Sequence, residues 1–188
     1  MYTEDRITIA APVRRVYELA AAIDRWPEIL PHYRWVAVLR DLPDRGDARQ
    51  RLVEMAATRD GFPVKWVSIQ ELDPGRREVR YRHVRGVTRG MDVIWALTTS
   101  PDAGGREGTA VRLIHLFDPP WPRPLGPLVA RYIVGGLFVH DIATKTLRRI
   151  KDLAETETET ETETEAGLEV GGTAEKARQP SGAASMAR

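Results

Sequence analysis

Seven short stretches of alternating apolar and polar residues, each bounded by turn-forming residues, precede one long stretch with almost no turn signals. This order constrains the chain more than any other feature. Arg6-Ile7-Thr8-Ile9 is the first alternating run. The others are Tyr33–Arg40, Arg49–Arg59, Phe62–Leu72, Arg77–Val84, Met91–Thr99 and Thr109–Phe117. Asp60-Gly61, Asp73-Pro74-Gly75 and the Gly-rich Pro101–Gly108 separate neighbouring runs. Close spacing with turns between runs predicts an antiparallel meander. Between the first two runs, Ala11-Pro12 opens a helix with Pro in its first turn. Val13, Val16, Tyr17, Ala20 and Ile23 follow at helical spacing. Asp24 is placed to cap a second short helix holding Trp26-Pro27-Glu28-Ile29-Leu30, which Pro31 ends.

After the Pro-rich linker Pro119–Pro124, residues Leu125 to Leu153 repeat apolar positions at three- to four-residue steps. That pattern predicts a long amphipathic helix. Gly135-Gly136 inside it permit a bend, or a close approach to sheet or ligand. A long sheet with one apolar face has to cover that face, and this helix is the one element long enough to do so. The expected class is therefore α+β, a helix-grip fold: a curved seven-stranded antiparallel sheet around a long C-terminal helix, with two short helices between strands 1 and 2. A cavity between sheet and helix follows from the curvature.

Residues 154–188 differ in composition. Glu155 to Glu165 alternates Glu and Thr, and a Gly/Ala/Ser-rich stretch follows. Such a segment buries nothing and repels itself, so it reads as a disordered tail behind a domain of residues 1–153. The chain has no Cys, which excludes disulfides, thiolate metal sites and Cys nucleophiles. Neither a secretory leader nor a run of about 18 apolar residues is present, so a cytoplasmic protein is expected. The body carries 25 basic against 19 acidic residues. Its arginines alternate with apolar residues, as in Glu78-Val79-Arg80-Tyr81-Arg82. That is the pattern of a solvated sheet face rather than a nucleic-acid surface. His32, His83, His115 and His140 lack ligand-type spacing, so neither metal nor cofactor is expected.

Strand alternation sorts the candidate site residues. Phe62, Val64, Trp66, Ser68, Gln70 and Leu72 share the more apolar face of the fourth run. Val79, Tyr81 and His83 point inward from the fifth, and Met91, Val93, Trp95 and Leu97 from the sixth. Val111, Leu113, His115 and Phe117 do so from the seventh. From these faces Trp66, Ser68, Gln70, Tyr81, His83, Trp95, Leu113, His115 and Phe117 are the expected ligand contacts, with Trp26, Tyr33, Tyr132 and Gly136. A few polar groups in an aromatic wall are the usual make-up of a small-molecule pocket. His115 can serve as acid or base near neutral pH. The Trp121-bearing linker and the apolar start of the last helix read as a transient membrane contact during loading.

Four segments give the chain a family likeness. They are Ile9-Ala10-Ala11-Pro12-Val13 leading into Val16-Tyr17, Asp24 to Tyr33 around Trp26-Pro27-Glu28, Trp66-Val67-Ser68, and Gly108-Thr109 followed by His115-Leu116-Phe117-Asp118. Together they resemble the polyketide cyclase/dehydrase (aromatase/cyclase) proteins of the START/Bet v 1-like (SRPBCC) superfamily, over about residues 4–153. The resemblance implies the helix-grip fold and an internal cavity for a lipid, quinone or polyketide-like molecule. Coenzyme-Q-binding START proteins are relatives that bind without chemistry; aromatase/cyclases close and dehydrate rings. In the latter, a Tyr after the Trp-Pro helix and an Arg two residues beyond the Ser are the implied acid/base pair. Tyr33 stands at the first position. Gln70 stands at the second and cannot carry charge. Binding of a hydrophobic or aromatic small molecule is the expected function, with cyclisation involving Tyr33 and His115 as the alternative.

Overall fold

The computed structural model describes residues 1–59, 62–86, 88–102, 104–117 and 142–158. The chain divides into two units, Met1–Glu155 and Thr156–Arg188, and the site lies in the first. Seven strands form one antiparallel sheet: β1 (Tyr2–Ile9), β2 (Tyr33–Arg45), β3 (Ala48–Arg59), β4 (Phe62–Asp73), β5 (Glu78–Gly86), β6 (Met91–Pro101) and β7 (Glu107–Phe117). Their order is β1-β7-β6-β5-β4-β3-β2. Consecutive strands from β2 onward form the predicted meander, and β1 closes onto β7. Helices α1 (Val13–Ala21) and α2 (Trp26–Ile29) join β1 to β2, and α3 covers residues 142–158. This is the helix-grip arrangement.

Several strands outrun their alternation. Tyr2–Asp5 extend β1 because their backbones pair with Leu113–Leu116 of β7. A ladder needs only backbone groups, so polar residues join it without a hydrophobic signal. Asp41–Arg45 extend β2 likewise into a tight hairpin, where Arg45 pairs with Ala48 across Gly46 at φ +62. Asp24 does not cap α2. It lies in a 3-10 turn, Ile23–Arg25, and the residue before α2 is Arg25, already helical at φ −87 and ψ −9. A chain entering in helical conformation offers no extended N-cap position.

The inward faces follow the alternation. Val79, Tyr81, Trp95, Val111 and Leu113 are buried with Val16, Leu19 and Ala20 of α1 and with Ala143, Leu147 and Ile150 of α3. On the outer face, Arg80 pairs with Glu78, Arg82 with Asp92 and Arg112 with Glu4. The far end of α3 is tied down: the Glu155 carboxylate accepts from the Ala10 amide at 2.6 Å and Lys151 Nζ donates to the Thr8 carbonyl at 2.9 Å.

Opposite Val67 and Ser68 the pairing skips Val84, so β5 bulges against β4. Gly86 faces Trp66 there at φ +97, and a Cβ would lie 2.6 Å from the Lys65 carbonyl oxygen. Gly86→Ala is therefore expected to destabilise the fold by about 2–4 kcal/mol, measured by urea unfolding. A loss under about 0.5 kcal/mol would show that the bulge relaxes freely. The linker with Trp121, the first part of the predicted last helix with Tyr132, Gly135 and Gly136, His140, the Phe62 side chain and the tail beyond 158 lie outside the described residues.

Candidate functional site

A cavity of about 80 Å³ opens on the inner face of the sheet. That is room for about half a dozen waters. Five aromatic rings line it: Trp26 from α2, Tyr33 from β2, Trp66 from β4, Tyr81 from β5 and Trp95 from β6. Trp26 is the hub. Its ring centroid lies 5.1 Å from Tyr33, 5.9 Å from Tyr81 and 6.1 Å from Trp95. Its Nε1 donates to the Leu19 carbonyl at 3.1 Å, fixing the indole against α1. The short α2 exists to bring this ring over the sheet.

The polar groups of the wall are His83, Thr88, His115 and Thr146, with the two phenols. The Trp66 ring stacks on His83 at 5.7 Å and 16°. His83 Nδ1 shares a 2.6 Å hydrogen bond with the Thr88 hydroxyl. Burial holds the His83 imidazole down at about 3, with repulsion from His115 second. Burial likewise holds His115 down at about 4. Both rings are thus neutral at pH 7. Burial also raises the Tyr33 and Tyr81 phenols far above their ordinary value, so both keep their protons. The Thr146 hydroxyl contacts the Tyr33 phenol and lies 2.9 Å from His32 Nε2. Among the described residues, His115 Nδ1, Trp66 Nε1 and Ser68 Oγ are buried without hydrogen-bond partners. Each such group carries a desolvation cost of about 1–3 kcal/mol.

Of the residues named from sequence, Trp26, Tyr33, Trp66, Tyr81, His83, Trp95, Leu113 and His115 meet at this cavity. Ser68, Gln70 and Phe117 are buried elsewhere in the sheet's interior face. Gln70 is fully engaged. Its Oε1 accepts from Arg51 Nε at 2.6 Å, and its Nε2 donates to the Ala21 carbonyl at 3.1 Å and to the Tyr81 hydroxyl at 3.0 Å. Tyr81 in turn donates to the Ala20 carbonyl at 3.2 Å, and Arg51 Nη2 to that of Ala21 at 3.1 Å. These three side chains cap the C-terminus of α1, whose last carbonyls have no helical partners and present a partial negative charge.

Sequence reasoning left Met55, Thr88, Met91, Val93, Ile142, Ala143 and Thr146 out of the site. Met91 and Val93 were legible as inward positions but not as pocket positions. Thr146 follows Ala143 by three on α3, so helical spacing could have found it. Thr88 sits in the turn after β5, where no periodicity points to it. Among the described residues, no cluster of His, Asp and Glu could hold a metal ion. None of the described helices is long and apolar enough to cross a membrane.

Residues 3–155 match the family model described as polyketide cyclase/dehydrase and lipid transport. The chain is 32% identical over 102 residues to a candidate polyketide cyclase of Streptomyces cyaneus, covering 54% of this chain and 65% of that one. It is 33% identical over 117 residues to the granaticin polyketide synthase bifunctional cyclase/dehydratase of Streptomyces violaceoruber, covering 61% and 33%. The matches thus span under two thirds of the first relative and one third of the second. Among solved structures, the Zhui aromatase/cyclase from a Streptomyces species superposes with a TM-score of 0.67 at 24% identity, over 84% of this chain and 95% of that one. A START superfamily protein from Mycobacterium smegmatis gives 0.56 at 12%, over 82% and 97%. The structural likeness establishes the shared fold.

Proposed function

Because the chain belongs to the polyketide cyclase/dehydrase and lipid transport family, we propose that its cavity binds a hydrophobic, aromatic or polyketide-like small molecule. The observation that carries this reading is the cavity wall, in which five aromatic rings surround a few neutral polar groups. Ring burial supplies affinity, and aromatic pairs add about 0.5–1.5 kcal/mol each beyond area. Tyr33, His83 and His115 orient a carbonyl or hydroxyl of the ligand. Native mass spectrometry of the purified full chain, followed by solvent extraction, is expected to release a co-purifying molecule of this class. An empty protein whose melting temperature no quinone, lipid or polycyclic phenol raises would refute the proposal.

A second reading is favoured by the meeting of Tyr33 and His115 in one cavity. Here the ligand is a poly-β-ketone chain. Neutral His115 takes a proton from a carbon flanked by two carbonyls, and the resulting enolate carbon bonds to a second carbonyl carbon. The imidazolium protonates the alkoxide formed there, which returns His115 to its neutral form while Tyr33 hydrogen-bonds the oxygen; dehydration follows as His115 takes the remaining proton of the attacking carbon and gives it to the departing hydroxyl, which leaves as water. The cavity contributes by holding the two carbons in contact. A co-purifying linear polyketone, converted on incubation to an aromatic product, would single out this reading over simple carriage.

A further inference from the structure

We propose that the cavity selects its ligand by charge, admitting uncharged oxygenated aromatic molecules and rejecting their carboxylates. This deepens the binding reading above and rests on it. The argument begins with the wall. Trp26, Trp66 and Trp95 line it with apolar surface, which solvates no anion. Its buried polar members, His83 with its partner Thr88 and the Tyr33 phenol with Thr146, are uncharged hydrogen-bonding groups.

A cation on the inner face is diverted. Arg51, Gln70, Tyr81 and Val93 form one row across four strands, and Tyr81 and Val93 line the cavity. A guanidinium in that row could have met a ligand carboxylate. Instead its Nε is 2.6 Å from Gln70 Oε1, and its Nη2 is 3.1 Å from the Ala21 carbonyl at the end of α1 and 4.0 Å from the Asp24 carboxylate. Gln70 thus acts as a positioning residue: it turns the charge of Arg51 toward the helix end and away from the cavity. An anion entering this site loses water and finds no opposite charge among the described residues. It can be accommodated only by taking up a proton, on itself or on one of the buried imidazoles. An amide or ketone of the same shape incurs no such cost.

The test uses two probes of equal size, 2-naphthamide and 2-naphthoate, with the full chain at pH 7. Binding is read from quenching of the cavity tryptophans and from calorimetry in buffers of different ionisation enthalpy. The expected result is at least about tenfold tighter binding of the amide. Residual binding of the carboxylate is expected to take up close to one proton. Equal affinities without proton uptake would overturn charge selection while leaving the binding reading intact. Binding of neither probe would overturn the binding reading and this proposal with it. In the Arg51→Gln/Gln70→Arg exchange, which moves the cation to the strand beside Tyr81, the preference for the amide is expected to shrink or invert. A correctly folded exchange variant with the wild-type preference would remove Gln70 from its proposed role.

Discussion

Replacing Gln70 by Leu is expected to lower the stability of the fold by about 3–5 kcal/mol, a fall of roughly 10 °C in melting temperature. Leu fills nearly the same space, so the loss measures hydrogen bonds rather than volume. Three groups lose a partner at once: the Arg51 guanidinium, the Ala21 carbonyl and the Tyr81 hydroxyl. Arg51 matters most, because its side chain is only 14% exposed and its Nε is left unpartnered, while Nη2 keeps the Ala21 carbonyl and the Asp24 carboxylate 4.0 Å away. The double variant Arg51→Met/Gln70→Leu is expected to lose less than the sum of the single variants, since it removes the half-partnered guanidinium together with Gln70. Chemical unfolding of the three variants checks both points. A single-variant loss below about 1 kcal/mol, or strict additivity, would mean that water replaces the network and that the cap on α1 is dispensable.

The second large effect is a loss of stability in mild acid. His83 and His115 have ordinary values of 6.5 when unfolded but titrate at about 3 and about 4 in the fold. Between those limits the unfolded chain binds more protons than the folded one, so stability falls as pH falls. The contribution is complete above about pH 6.5 and disappears as the pH approaches the folded values. By pH 4.5 the expected loss is about 2–3 kcal/mol per histidine. Urea unfolding between pH 7 and 4.5 should therefore show a steep slope that His83→Phe/His115→Phe largely flattens. His83→Phe lowers stability at pH 7 to some extent, because it leaves the Thr88 hydroxyl without its partner. The slope, not the starting value, is the readout. An unchanged slope in the double variant would assign the acid sensitivity to surface carboxylates instead.

Much of the architecture was legible because it depends on local regularities. Alternation along Glu78–Val84 or Met91–Leu97 has one period and one physical reading, a strand with a wet face and a dry one. Turn residues at Asp73-Pro74-Gly75 left little freedom in how β4 meets β5. The same alternation placed Trp66, Tyr81, Trp95 and His115 on the inner face, and the structure gathers those four at one cavity. The polar segments of β1 and β2 were not legible, because backbone pairing supports them without any apolar pattern.

Residue identity and alternation alone determined the fold class, the inner and outer faces, and the aromatic character of the interior. Only the tertiary structure decided which inner-face residues meet empty space and which meet other protein. Gln70 and His115 look alike in sequence, each a polar residue on a dry face. Gln70 ends beneath the C-terminus of α1, where the Ala21 carbonyl, the Tyr81 hydroxyl and Arg51 engage its amide. His115 ends in the cavity wall with Nδ1 unpartnered among the described residues. The difference lies in what packs above each strand, which depends on contacts between residues far apart in the chain, and no local pattern records those.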